Sequence, residues 1–127
     1  MLMKWEIRPD RPVYVQLVER LEAAILTGEY PPGQRVPAVR ELAAQAAVNP
    51  NTMQRALTEL EARGLLETHR TAGRTVTSDG AKLAALRAGL AREQTRAFLT
   101  QMRALGLSAQ EAAALLDAEA AAEKEES

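Results

Sequence analysis

The chain has 127 residues, a net charge of −1, no cysteine and a single histidine, with 46% hydrophobic and 26% charged residues. That describes one ordinary domain, or a small domain with an appendage, and excludes a two-domain enzyme, disulfides, thiolate catalysis and a Cys- or His-rich metal site, so neither metal nor cofactor is expected. No stretch approaches the roughly 18 apolar residues of a membrane helix, and the start is broken by Lys4, Glu6, Arg8, Asp10 and Arg11 where a signal peptide would be apolar, so a cytoplasmic protein without a membrane partner is expected.

The charge is unevenly spread. Residues 108–127 carry Glu111, Asp117, Glu119, Glu123, Glu125 and Glu126 against Lys124, a net of −5, which leaves +4 over residues 1–107. A basic body with an acidic tail permits a polyanion partner without requiring one.

From Arg11 to about Thr27, Val13, Leu17, Leu21 and Ile25 recur every four residues, which predicts an amphipathic helix with Pro12 near its first position and Gly28 as its stop. Arg35-Val36 reads as a short extended link. A second helix is expected from about Pro37 through Val39, Leu42, Ala43 and Ala46. The third has the sharpest start, because Asn49 can cap it and Pro50 can take its first position. Met53, Ala56, Leu57 and Leu60 form its apolar stripe, and Gly64 ends it. At about 100° per residue, Asn51, Gln54, Arg55 and Thr58 point the other way, making that side almost wholly hydrogen-bonding.

Only about three residues, Ala47 to Asn49, join the second and third helices, which reads as a helix-turn-helix. Residues 65–70 and 74–77 read as strands around Thr71, Ala72 and Gly73, giving a hairpin. The expected fold is mainly α: an N-terminal winged helix-turn-helix of three helices and a β-hairpin wing over residues 1–78, then a two-helix C-terminal dimerisation region with an acidic tail over residues 79–127. A long helix from about Ala81 to Leu105 carries Leu83, Leu86, Leu90 and Phe98. Gly106 breaks it, and Ser108 with Glu111 opens a last helix as a capping box through Leu115 and Leu116, frayed past about Ala118. Two helices cannot cover each other's apolar stripes alone, so Leu83, Leu86, Leu90, Phe98, Leu115 and Leu116 are expected to face a second copy.

A pair of helix-turn-helix units suits double-stranded DNA, whose major groove admits one helix and whose turns repeat at roughly 34 Å. Asn51, Thr52, Gln54, Arg55 and Thr58 carry the amide, hydroxyl and guanidinium groups that read base edges or hold phosphates, and the helix start at Asn51 and Thr52 offers N–H groups to a phosphate. Arg40 lies on the far side of the second helix from Leu42 and Ala43, and Arg70 and Arg74 flank the hairpin bend, where a wing meets the backbone or minor groove. His69 reads as a strand residue and Glu59 and Glu61 as helix surface, since no nucleophile, oxyanion donor or phosphate loop accompanies them. Trp5 and Tyr14 read as anchors of the N-terminus. The rival reading is a helical protein-interaction module that does not bind DNA. The C-terminal helices leave room for a small-molecule effector, which no charged pocket motif identifies.

The phrases Pro12-Val-Tyr-Val-Gln-Leu17, Ala24 through Pro37, Arg40-Glu-Leu-Ala43 and Val48-Asn-Pro-Asn-Thr52 through Leu60-Glu-Ala-Arg-Gly-Leu65 resemble the GntR family of bacterial transcription regulators over about residues 8–77, and the short helical remainder resembles its YtrA subfamily. The resemblance implies a homodimeric regulator, commonly a repressor, on a palindromic operator, often of transporter genes. It places Arg40, Asn51, Thr52 and Gln54 on DNA-contacting positions. The chain departs from the family with Pro50 and Gln54 where arginines are frequent, and with Arg70-Thr-Ala-Gly73 where the wing usually has Arg-Gly-x-Gly.

Overall fold

The computed structural model describes residues 3–126. In chain order the elements are α1 (Val13–Thr27), α2 (Val39–Ala46), α3 (Pro50–Ala62), β1 (Leu66–His69), β2 (Gly73–Val76), α4 (Gly80–Ala104) and α5 (Ala109–Glu126). The expected mainly helical winged helix-turn-helix is present, and no described helix is long and apolar enough to cross a membrane. The chain divides into two compact units between Ala84 and Ala85, inside α4.

In the first unit, Leu17, Leu21, Leu42, Met53, Leu57, Leu60 and Leu65 are completely withdrawn from solvent. Burying each such side chain contributes roughly 1.5–3 kcal/mol before entropy is subtracted. α3 packs on both α1 and α2, so the stripe predicted for α3 is the hub of this core. Val13, predicted on the α1 stripe, instead stays 36% exposed at the helix start. Pro12 is the N-cap residue rather than the first helical one, and Gly28 closes α1 in the left-handed conformation at φ 86°. The N-terminal segment is held by Gln16, which accepts from the Arg8 N–H and donates to the Arg8 and Arg11 carbonyls.

α2 begins at Val39, two residues later than predicted. Ala38 stays extended at φ −65° and ψ 157° as the N-cap, and the chain before Pro37 is used as a strand. Val36 N–H donates to the Arg74 carbonyl and Val76 N–H to the Gln34 carbonyl, both at 2.9 Å, and Arg35 pairs with Thr75. Residues 34–36 thus lie along the outer edge of β2 and are more than a link. β1 and β2 pair antiparallel from Leu66↔Val76 to His69↔Gly73. Gly73 takes φ 77°, as a tight bend demands.

α4 runs 25 residues. Leu83, in its first turn, is 4% exposed and belongs to the core of the first unit. Its expected place on a face awaiting a second copy is therefore corrected. In the second unit Gly106 turns the chain at φ 86°, with Leu107 N–H donating to the Met102 carbonyl. The capping box forms as predicted: Ser108 N–H donates to Glu111 Oε1 at 2.9 Å and Glu111 N–H to Ser108 Oγ at 3.1 Å. These bonds hold the Glu111 carboxyl below its ordinary pKa. α5 does not fray past Ala118 but continues to Glu126, since alanine is the strongest helix former and Lys124 sits favourably in the last turn.

Candidate nucleic-acid interface

The helix-turn-helix is built by a three-residue turn. Ala47 closes α2 in the left-handed conformation, Val48 N–H donates to the Ala43 carbonyl, and Asn49 caps α3 with φ −63° and ψ 132°. The Asn49 Oδ1 accepts the Asn51 N–H at 2.7 Å, and the Asn49 carbonyl accepts those of Thr52 and Met53 at 3.0 and 3.1 Å. The start of α3 is consequently self-satisfied. The expectation that Asn51 and Thr52 hold free N–H groups for a phosphate is corrected, because Asn49 consumes both.

Along α3, Met53, Ala56, Leu57 and Leu60 are buried, while Asn51, Gln54, Arg55 and Thr58 are exposed and Thr52 is half-buried. The polar side predicted from periodicity is thus open. The Thr58 hydroxyl donates to the Gln54 carbonyl at 2.9 Å and accepts from the Gln54 side-chain amide at 3.4 Å, so toward a ligand it offers its remaining lone pair. The Arg55 guanidinium lies over the Tyr14 ring with 4.0 Å between its carbon and the ring centroid. This stack orients the cation and fixes the start of α1 to α3. Expected to anchor the N-terminus, Tyr14 instead joins the start of α1 to α3.

Arg40 on α2 and Arg70 at the hairpin bend are exposed. Arg74 is different. Its Nε donates to Glu61 Oε1, and Thr68 Oγ1 donates to Glu61 Oε2 at 2.8 Å, so one carboxylate of α3 clasps both strands of the wing. Partial burial pushes the Glu61 carboxyl up, but the bonds from Arg74 and Thr68 outweigh it and hold the pKa below the ordinary value. Arg74 therefore fastens the wing, a role its place beside the bend did not suggest. His69 shares a hydrogen bond with Thr75 Oγ1 at 2.8 Å across the hairpin.

The charges separate into two groups. Arg8, Arg11, Arg20, Arg63 and Arg74 each sit within 3.0 Å of a carboxylate oxygen: those of Asp10, Glu19, Glu29, Glu22 and Glu61. Among the described residues of the first unit, Arg35, Arg40, Arg55 and Arg70 have no carboxylate in salt-bridge range, and they occupy the edge of β2, α2, α3 and the hairpin bend. Arg35 was missed in the sequence because an arginine in an apparent link gives no hint of the strand pairing that carries it to the wing. No described group of His, Cys, Asp and Glu could hold a metal ion.

Residues 13–76 match the model of the bacterial regulatory proteins of the gntR family. The chain is 35% identical over 106 residues to the uncharacterized HTH-type transcriptional regulator YhcF of Bacillus subtilis, covering 84% of this chain and 88% of that one. It is 41% identical over 75 residues to the HTH-type transcriptional repressor YtrA of the same organism, covering 59% of this chain and 57% of YtrA. A GntR family transcriptional regulator from Listeria monocytogenes superposes with a TM-score of 0.83 at 33% identity, over 87% of this chain and 97% of that one. All three bear the names of transcription regulators. The chain belongs to the gntR family of bacterial regulatory proteins and is YtrA-like.

Proposed function

We propose that the protein is a homodimeric, sequence-specific DNA-binding transcription regulator of the cytoplasm, acting as a repressor on a two-fold symmetric operator. The observation that carries this reading is the segregation of arginines. In the first unit Arg35 on the edge of β2, Arg40 on α2, Arg55 on the polar side of α3 and Arg70 at the hairpin bend have no carboxylate partner and are open to neutralisation by a duplex, while the other arginines of that unit are already paired. Asn51 and Gln54 would supply base-edge hydrogen bonds, Arg40, Arg55 and Arg70 phosphate contacts, and Thr52 and Thr58 weaker polar contacts. Arg74 would act indirectly by fixing the wing.

The homodimer is supported by the second unit. Leu105, Leu115 and Leu116 are 73%, 47% and 55% exposed, and Leu86, Leu90 and Phe98 are only half-covered. Large apolar side chains left open in this number favour association, and two-fold pairing would present two copies of α3 to successive major grooves. Repression is supported by the likeness to the repressor YtrA.

The test is selection of duplexes from a random pool, followed by fluorescence anisotropy on the winner over a salt series. The proposal expects a two-fold symmetric site and affinity that falls steeply with salt. A protein that ignores duplex DNA at low salt overturns it.

A further inference from the structure

Resting on the reading as a DNA-binding regulator, we infer that Arg35, and not Arg74, is the second cation with which the wing holds a DNA phosphate. A hairpin wing carries positive charge to the sugar-phosphate backbone, and its effect depends on which cations are still uncompensated when it arrives. Near the bend the sequence supplies Arg70 and Arg74. Arg74 is spent, since its guanidinium is engaged by Glu61 and its side chain is only 20% exposed. The wing's own strands thus leave Arg70 alone.

The missing cation comes from across the sheet. Val36 N–H bonds the Arg74 carbonyl, Val76 N–H bonds the Gln34 carbonyl, and Arg35 lies opposite Thr75, so residues 34–36 form a third edge of the wing. The Arg35 side chain runs back along that edge to the bend. A Cβ placed on Gly73 would stand 3.4 Å from Arg35 Nε and 3.8 Å from its Nη2. Arg35 is exposed, and no carboxylate among the described residues reaches it. Arg70 enters the bend and Arg35 lies against Gly73 where the bend ends, so the two bracket it. A groove lined by Arg35, Val39, Thr68 and Gly73 opens between this edge and the hairpin. The planar fork of a guanidinium suits two oxygens of one phosphate, and Gly73 leaves the room in which that fork lies.

The experiment compares the full chain with Arg35→Gln, Arg35→Lys and Arg74→Gln on one selected duplex, reading affinity over a salt series and thermal melting of each free protein. Arg35→Gln is expected to lower the slope of log K against log salt by about 0.9 and to weaken binding about fivefold near physiological salt, with melting unchanged. Arg35→Lys keeps the slope and loses a smaller factor. Arg74→Gln keeps the slope and melts earlier. An Arg35→Gln protein with the wild-type slope overturns the inference while leaving the functional reading intact. A wild-type chain that binds no duplex overturns both.

Discussion

Glu61 of α3 and Arg74 of β2 form an ion pair across the seam between helix and wing, with side chains 29% and 20% exposed. The pair is shielded enough to matter, and Thr68 completes it from the other strand. Glu61→Gln is expected to cost about 1 kcal/mol in urea unfolding at neutral pH, since a charge-assisted bond at a partly covered site exceeds the median surface pair.

The same carboxylate predicts a pH dependence. Its folded pKa lies below the ordinary value of 4.5, so its contribution is fully present above that value and is lost as pH falls through the lower, folded one. The stability gap between wild type and Glu61→Gln should therefore close on acidification, which parallel urea titrations at pH 7 and at stepwise lower pH would follow. A gap that widens below the ordinary carboxylate value contradicts the assignment.

Asn49 satisfies the Asn51 N–H with its side chain. Asn49→Ala removes that acceptor at the start of the helix meant to read DNA, and is expected to cost about 1 kcal/mol of stability. Asn49→Asp, which keeps an acceptor, should restore most of it. Chemical denaturation of the three proteins decides the matter.

Ala47 is the one non-glycine residue with positive φ among the described residues, at 57°. Relieving the Cβ strain there outweighs the added entropy of an unfolded glycine, so Ala47→Gly is predicted to stabilise by about 0.5 kcal/mol. Ala47→Val should do the opposite, by more than about 1 kcal/mol, because a β-branched residue tolerates the left-handed region poorly. Midpoints moving in the same direction would refute this account of the turn.

On the DNA side, Arg40→Ala is expected to weaken binding to every duplex alike and reduce the salt slope by about 0.9, whereas Gln54→Ala should relax preference at a single base pair, worth about 1–3 kcal/mol, with the slope kept. Anisotropy against a library of single-base operator variants separates the two.

Leu115→Asp with Leu116→Asp puts two carboxylates on the exposed stripe of α5 without touching a buried residue. Sedimentation is expected to shift from dimer to monomer, and operator affinity to fall by at least about tenfold as the second half-site contributes nothing. Dimers that survive the double substitution place the interface elsewhere.

Local signals in the chain account for most of what the structure contains. Asn49-Pro50, the four-residue spacing of the α1 leucines, and the Ser108–Glu111 box are short-range instructions, and each acts where it stands. Long-range pairings stayed hidden. Nothing near Arg35 announces its alignment with Thr75, and nothing near Arg74 announces Glu61, thirteen positions earlier. Leu83 has the same cause: its spacing matches the rest of α4, but only the folded unit reveals that the first turn of that helix serves the core. A truncation after Thr77 would remove this leucine, so the first unit is better ended beyond Ala84. Periodicity identifies which residues are apolar together, and leaves open which neighbour they meet.

The separation of compensated from uncompensated guanidinium groups has a practical consequence at the bench. With −1 overall, the protein will pass a cation-exchange column that sorts molecules by their sum. A heparin resin responds to local field, and its sulfates will find Arg35, Arg40, Arg55 and Arg70 open. Retention on heparin by a slightly acidic protein, and earlier elution as these four are removed singly, would report the strength of that patch before any operator is known.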